Sequence, residues 1–170
     1  MKYYIGIDLG GTNVRTLLVD ENGQSYSEVK DATERENGPD YVCSKIIRQI
    51  ESLDYSICGG INNVQGIGIG VPGPVDTERG VMIMATNLPG FENYPICEKL
   101  SSRFNLPVFI DNDANVAGLA EALLGAGKGK PTCYYVTIST GIGGAFVVNG
   151  QLVSGGRGHA GEVGNIIVKN

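Results

Sequence analysis

The chain has 170 residues, of which 42% are hydrophobic and 18% charged, so it can bury a core and is not a disordered segment. Its formal net charge is −5 and it has no basic cluster, which argues against nucleic acid and anionic membranes as partners. No apolar run reaches membrane-spanning length and no signal peptide precedes Lys2, so we expect a cytoplasmic protein. The four cysteines are widely separated and form no C-x-x-C motif. We therefore expect neither a zinc knuckle nor a disulfide framework.

Apolar periodicity predicts an α/β fold. In chain order the predicted elements are strands 2–9, 14–20 and 25–30, helix 40–53, strand 66–71, helix 94–104, strand 108–110, helix 112–125, and hairpin strands 132–139 and 145–149. The glycine- and lysine-rich stretch near residue 125 is the best candidate for a domain boundary. We therefore expect an N-terminal lobe over 1–125, a hinge over 126–131, and an incomplete second lobe over 132–170. A hairpin is rarely stable alone, so we expect either a fragment or a cover for this hairpin.

Two glycine-rich turns, one near each end of the chain, stand out. They span residues 5–15 (IGIDLGGTNVR) and 137–146 (TISTGIGGAF), and each joins one apolar β-branched run to another. Glycine lets backbone N–H groups approach an anion because no Cβ blocks the way and positive φ costs little. Neither turn has the Walker pattern or the dinucleotide-binding pattern, and each alone is equally well explained as a hairpin turn. As a pair, with carboxylate or hydroxyl side chains in both, they favour polyphosphate binding and phosphoryl transfer.

A polar cluster, Asp111-Asn112-Asp113-Ala114-Asn115, lies where a predicted strand ends and a helix begins. Asp111 or Asn112 is explained well enough as the helix cap. One cap does not account for the whole cluster, and ligands bind at strand ends in open α/β sheets. A kinase needs a carboxylate to accept the proton of the attacking hydroxyl, and Asp113 is the candidate. Asn112 can both donate and accept hydrogen bonds with sugar hydroxyls.

Three further polar segments adjoin apolar strands. They cover residues 72–76, 85–91 and 155–165, and an ordinary turn is the default interpretation of each. The last carries Glu162 and the single histidine, His159, which is better explained as a solvated or capping residue than as a base.

Taken together, these motifs resemble the ROK family of bacterial sugar kinases and sugar-responsive repressors, within the actin-like, ribonuclease H-like ATPase fold. The matching segments, in the family's order and spacing, are IGIDLGGTNVR, GIGVPGPVD, ATNLPGF, DNDAN, TGIGGAFVVNGQLVSG and GHAGEVGN. Six motifs in order are far more specific than any one of them. The resemblance covers nearly the whole chain and implies a mixed sheet with flanking helices, followed by the start of a second lobe.

The resemblance also implies a role for each matching position. Asp113 matches the catalytic base, and Asp8 would lie near Mg²⁺, through a water. The positions that match sugar-binding residues are Gly73, Asn87, Asn112 and Glu162. The positions that match the two phosphate turns are Gly10, Gly11 and Thr12 in the first, and Thr140, Gly141, Gly143 and Gly144 in the second. The implied reaction transfers the γ-phosphoryl group of ATP to a hexose hydroxyl, most often O6.

The chain departs from the family pattern in two respects. Asn165 stands where the family usually has a histidine that binds zinc and sugar, so we predict no bound zinc. Members of the family are about twice as long, with an adenosine pocket beyond residue 170, so we expect this chain alone to show no appreciable kinase activity. The exposed hairpin face around Val136, Ile138, Phe146 and Val148 is expected to promote self-association, and dimers are usual in the family.

Two other functions are open to such a chain. A sugar-binding transcriptional regulator without its DNA-binding domain is the main alternative, but the first strand begins at Tyr3 and leaves no room for a helix-turn-helix before it. An actin-like structural module is the other, and the DNDAN and AGE segments argue against it. The expected partners are therefore a hexose and ATP with Mg²⁺.

Overall fold

The computed structural model describes residues 1–138, 141–156, 160–161 and 163–165, and the chain divides into two compact units, Met1–Asp111 and Asn112–Asn170. The strands are β1 (Tyr3–Leu9), β2 (Asn13–Asp20), β3 (Ser25–Ala32), β4 (Val64–Val71), β5 (Val75–Asp76), β6 (Val81–Met82), β7 (Val108–Asn112), β8 (Thr132–Ile138), β9 (Ile142–Val148) and β10 (Gln151–Leu152). The helices are α1 (Pro39–Ser52), α2 (Ile96–Phe104) and α3 (Asp113–Leu123). No helix among these residues combines the length and apolar character needed to cross a bilayer.

The first unit is built on a five-stranded sheet in the order β3-β2-β1-β4-β7. The predicted meander is confirmed, since β1 pairs antiparallel with β2 and β2 with β3. β4 runs parallel to β1, with Ile5 opposite Ile67 and Asp8 opposite Gly70. Because side chains alternate along a strand, Ile5 and Ile67 share the buried face, while Asp8 lies on the opposite face.

Each of the two helices of the first unit, α1 and α2, buries a stripe of apolar side chains. These side chains pack in the same core as the buried face of the sheet. Pro39 begins α1 at its first position, where its missing N–H costs nothing, and Asn105 ends α2 in the left-handed conformation. The buried stripes consist of Val42, Cys43, Ile46 and Ile50 from α1 and Ile96, Cys97 and Leu100 from α2. This packing fixes the sheet, and with it the loops at the ends of its strands.

A short hairpin, β5 with β6, follows β4 and was not among the predicted strands. Its turn is closed by the Asp76 side chain, which accepts a hydrogen bond from the Arg79 amide at 2.9 Å, and by Gly80 at a φ of +68°. Such two-residue strands have no periodicity to detect, although Asp and Gly at these places are a turn signal.

In the second unit, α3 packs on a three-stranded sheet in the order β10-β9-β8. Gly118 makes the contact possible, because a Cβ at this position would lie against the Cβ atoms of Ala145 and Tyr135. The inner face of the β8–β9 hairpin is thus covered by a helix. Its outer face stays open in the described part of the chain, with Val136 45% and Ile138 78% exposed.

Along the chain, the first compact unit ends at Asp111 and the second begins at Asn112, and the hinge expected at 126–131 stays a prediction. The close packing of α3 on β8 and β9 groups this helix with the second unit. Residues 126–131 form a turn within that unit, where the Gly127 amide donates to the Glu121 carbonyl at 2.9 Å.

Candidate functional site

The first glycine turn presents two adjacent amide groups. The Gly10 N–H donates to the Asn13 carbonyl at 2.9 Å and closes the turn between β1 and β2. The N–H groups of Gly11 and Thr12 donate to no acceptor among the described residues. Neighbouring backbone donors of this kind form an anion-binding concavity.

Asp8 lies two residues before this turn and is exposed. Its neighbour across the sheet is Arg15, but the Arg15 Nε atom is 3.2 Å from a Glu28 carboxylate oxygen and pairs with that group. Within the described part of the chain, Asp8 therefore has no cation within ion-pair distance. An exposed carboxylate beside two amide donors suits a magnesium ion that binds phosphate oxygens and is held through water.

The turn glycines are needed for space and not for backbone conformation. None of Gly10, Gly11, Gly143 and Gly144 has a positive φ, which corrects that half of the sequence argument. At Gly11 a Cβ would lie 2.8 Å from Arg35 Nη1 and 2.8 Å from the Asn87 carbonyl oxygen. Contacts this short exclude a side chain, so glycine here permits the close approach of two other segments.

Thr33 and Arg35, which the sequence did not single out, both contact this turn. The Thr33 hydroxyl donates to the Gly10 carbonyl at 2.6 Å, and the Thr33 amide donates to the Thr12 carbonyl at 2.8 Å. Thr33 is completely buried, so the turn is held by a side chain that water does not reach. A threonine after a strand carries no sequence signal for this role.

The loop that carries Asn87 is anchored from beneath. Ala85, Leu88 and Phe91 are all buried, and the amides of Leu88 and Phe91 donate to the carbonyls three residues earlier. Thr86 and Asn87 are exposed between these anchors. The structure therefore presents Asn87 on a loop whose buried side chains are anchored in the core, next to Gly11 of the first glycine turn.

Gly73 follows the end of β4 and has a φ of +86°, a conformation that other residues rarely adopt. A Cβ at this position would lie 3.0 Å from the Met84 carbonyl oxygen. Glycine is therefore required at position 73 by the backbone alone, whether or not it touches a ligand.

At the start of α3 the structure assigns the cap to Asn112. Its Oδ1 atom accepts from the Ala114 amide at 2.9 Å and from the Asn115 amide at 3.3 Å, while its backbone is extended. Asp113 occupies the first helical position, is exposed, and accepts from the Ala114 amide at 2.8 Å. Because Asn112 caps the helix, the Asp113 carboxylate is not required for that purpose.

The second glycine turn lies against the start of the same helix. The Cβ position of Gly143 is 3.2 Å from the Ala114 Cβ, and that of Gly144 is 2.8 Å from the Tyr135 and Gly161 carbonyl oxygens. At Gly141, by contrast, a Cβ would have no described atom within 4 Å, so packing does not explain this glycine. The second unit thus brings Gly143 close to the helical turn that carries Asp113.

Two predicted site residues, Thr140 and Glu162, lie outside the described residues, as does His159. Gly161, the neighbour of Glu162, packs directly on the backbone of β9 at Gly144. In the described part of the chain no three acidic, cysteine or histidine side chains gather into a metal site, and the absence of zinc stays a prediction.

Comparison with known proteins gives a consistent family. The ROK family model matches residues 4–170. A glucokinase from Halalkalibacterium halodurans is 34% identical over 98% of this chain and 50% of its own length. A xylose repressor from Caldicellulosiruptor bescii is 31% identical over 96% of this chain and 41% of its own. The chain thus spans about half the length, or less, of these curated relatives.

Solved structures agree. A ROK hexokinase from Thermus thermophilus superimposes with a TM-score of 0.85 at 37% identity, over 98% of this chain and 54% of that one. A ROK glucokinase from Streptomyces griseus, in complex with glucose and AMPPNP, superimposes with a TM-score of 0.82 at 33% identity, over 98% of this chain and 51% of that one. The predicted fold class, an actin-like α/β lobe with the beginning of a second, is confirmed.

Proposed function

Because the chain belongs to the ROK family, we propose that the whole protein, at the length of its relatives, is a sugar kinase that transfers the γ-phosphoryl group of ATP to a hexose hydroxyl, O6 of glucose first among them. The glucokinases and ROK hexokinases that match at 33–37% identity support this proposal. We place the protein in the cytoplasm as a homodimer, in keeping with the family.

In the first unit, the proposed task is to hold the phosphoryl donor. ATP supplies the γ-phosphoryl group, and the Gly11 and Thr12 amides donate hydrogen bonds to its phosphate oxygens. Asp8 would hold Mg²⁺ through water, and the ion would offset the negative charge of the phosphates. The two amide groups without described acceptors support this assignment, as does the Asp8 carboxylate, which has no described cation within ion-pair distance.

In the second unit, the proposed task is proton transfer. The Asp113 carboxylate accepts the proton of the sugar hydroxyl as that oxygen attacks phosphorus. The observation that carries the proposal is the division of roles at the start of α3, where Asn112 caps the helix and Asp113 is exposed beside it. We further propose that the Asn112 amide, Gly73, Asn87 and Glu162 bind sugar hydroxyls, as the resemblance implies. Gly141, Gly143, Gly144 and Thr140 would form the second phosphate turn.

An assay of the whole protein with glucose, ATP and Mg²⁺ tests the proposal. We expect glucose-dependent ADP release at about 1–1000 s⁻¹, and a product whose phosphorus couples to the C6 protons in NMR. The 170-residue chain alone should show no appreciable turnover. A folded whole protein that releases no ADP with glucose, mannose, fructose or N-acetylglucosamine would overturn the assignment.

A sugar-responsive repressor is the second candidate, because the xylose repressor also matches along nearly the whole chain. The two functions differ in one measurable property. A repressor binds operator DNA and releases it when sugar is added, while a kinase consumes ATP in proportion to sugar. Gel-shift titration of the whole protein with upstream DNA of its own gene, beside the kinase assay, separates them.

A further inference from the structure

Arg35 joins two parts of the first unit to which the proposed function gives different tasks. It follows Thr33, the buried residue that holds both ends of the Gly10–Thr12 turn. The Arg35 Nη1 atom donates to the Asn87 carbonyl oxygen at 2.8 Å. The same Nη1 atom lies 2.8 Å from the position of a Gly11 Cβ, so the guanidinium is in contact with the turn itself.

The contact depends on the geometry of an arginine. A guanidinium is planar and carries five N–H donors, so one nitrogen can donate to a carbonyl while the group also contacts the Gly11 backbone. A lysine in the same place presents a single ammonium group, which can reach the Asn87 carbonyl but cannot cover the turn. Glycine at position 11 is the matching requirement on the other side, because any side chain there would displace the guanidinium.

The anchoring of the Asn87 loop explains why the contact with Arg35 affects the Asn87 peptide. Its buried residues, Ala85, Leu88 and Phe91, fix the ends of the loop in the core. The exposed peptide of Asn87 is held by the bond to Arg35. The position of the Asn87 peptide therefore depends on the guanidinium that also contacts the turn.

We propose that Arg35 is a positioning residue that couples the Gly10–Thr12 turn to the Asn87 loop. This inference rests on the proposed function, in which the turn binds the phosphoryl donor and Asn87 binds the sugar. Through Arg35, donor binding at the turn strengthens sugar binding at Asn87. Sugar binding strengthens donor binding by the same factor, because such coupling is reciprocal.

Amide hydrogen exchange on the 170-residue chain tests the coupling without any assay of activity. We expect Arg35→Ala to speed exchange both in peptides covering residues 9–14 and in peptides covering 84–92. Arg48→Ala removes an exposed arginine from α1 and is the matched control, which should leave both segments unchanged. In Arg35→Lys, we expect amide exchange in residues 84–92 to stay closer to the wild-type rate than exchange in residues 9–14. Unchanged exchange in Arg35→Ala, or a change in only one of the two segments, would overturn the coupling.

A double-mutant cycle on the whole protein tests the consequence for function, with glucose as the sugar. We expect Arg35→Ala to raise KM for glucose about fivefold with little change in kcat, since the residue acts through Asn87 and not on the reacting atoms. In an Asn87→Ala background, Arg35→Ala should have no further effect on that KM. If the fold-changes in KM from the two substitutions multiply in the double mutant, Arg35 acts independently of Asn87, and the inference fails. If the whole protein phosphorylates no sugar, the proposed function fails, and the exchange experiment still decides the coupling.

Discussion

The two units of this chain bury very different side chains. The first unit encloses isoleucine, leucine and phenylalanine from its sheet, both helices and the Asn87 loop. Among the described residues of the second unit, the buried apolar side chains are only Ala114, Ala122, Ala145 and Val147. Burial of large apolar side chains is the main source of folding free energy, so the stability of the chain resides chiefly in the first unit. The second unit contributes close backbone packing and the carboxylate proposed as the base.

The largest effect expected is on catalysis, from a change that hardly affects folding. Asp113→Asn in the whole protein should lower kcat by about three orders of magnitude, because an amide cannot accept the proton of the sugar hydroxyl. The thermal unfolding midpoint should stay close to that of the wild type, since Asn112 provides the helix cap. Steady-state kinetics and calorimetry measure the two quantities, and near-normal turnover would remove Asp113 from its proposed role.

The open face of the second unit should make the 170-residue chain self-associate. Ile138 is 78% exposed and Val136 45% exposed on one face of the hairpin. Ile138→Ser should weaken association about thirtyfold in sedimentation velocity, since one buried isoleucine is worth about 2 kcal/mol. Ile57→Ser removes an isoleucine that is 49% exposed in the first unit and is the control. An equal effect of both substitutions would show that association is not specific to the hairpin face.

Two glycine substitutions test how much the close packing at Gly11 contributes to the stability of the first unit. Gly11→Ala should destabilise the chain by about 1–3 kcal/mol, because the new methyl group would overlap the Asn87 backbone as well as Arg35. Gly6→Ala, in the same β1 region, meets nothing within 4 Å and should be neutral or slightly stabilising. Urea unfolding measures both, and similar values for the two variants would contradict the close contact at Gly11.

Loss of the α3 cap should have a smaller and local effect. Asn112→Ala removes the acceptor for the Asn115 amide and one of the two acceptors for the Ala114 amide, and should cost about 1 kcal/mol. Asn112→Asp keeps an acceptor there and should retain most of that stability. Amide exchange in the first turn of α3 reports the loss directly. Fast exchange that also spreads to β1 and β4 would show that the two units do not unfold separately.

The smallest effect concerns pH and again belongs to the first unit. Burial would by itself raise the pKa of the Asp20 carboxyl, but hydrogen bonds from the Gln24 and Asn22 amides and the Tyr26 hydroxyl lower it below its ordinary value. Asp20 therefore stabilises the fold above the unfolded pKa, about 3.9, and this stability is lost as pH falls through the lower folded value. The stability difference between wild type and Asp20→Asn should shrink as the pH falls from 5 to 3. A difference that stays constant over this pH range would contradict the role assigned to the Asp20 carboxylate.

The longer strands and the helices were predictable because their apolar residues repeat with the period of each element. The five-stranded sheet and α1 to α3 follow the predicted ranges to within a few residues. The grouping of α3 with the second unit was not predictable, because it depends on the fit of Gly118 against Ala145 and Tyr135. An alanine- and leucine-rich helix gives no sign of which sheet it will join.

The candidate site was predictable in its loops but not in its contacts. The glycine turns and the Asn112–Asp113 pair follow from local residue types, whose chemistry the sequence shows directly. Which of Asp111 and Asn112 caps α3 depends on the backbone, and the structure selects Asn112. Thr33 and Arg35 reach the first turn from the end of β3, and such long-range contacts leave no local pattern.

Buried and exposed positions are interleaved in the Asn87 loop, and this affects which substitutions the protein can tolerate over evolution. Ala85, Leu88 and Phe91 carry the folding of the loop, while Thr86 and Asn87 face outward and carry none of the core. Substitutions at the two outward positions can therefore accumulate without a loss of solubility or expression. A library restricted to positions 86 and 87 offers an economical route to variants with altered sugar preference, because nearly every member should still fold.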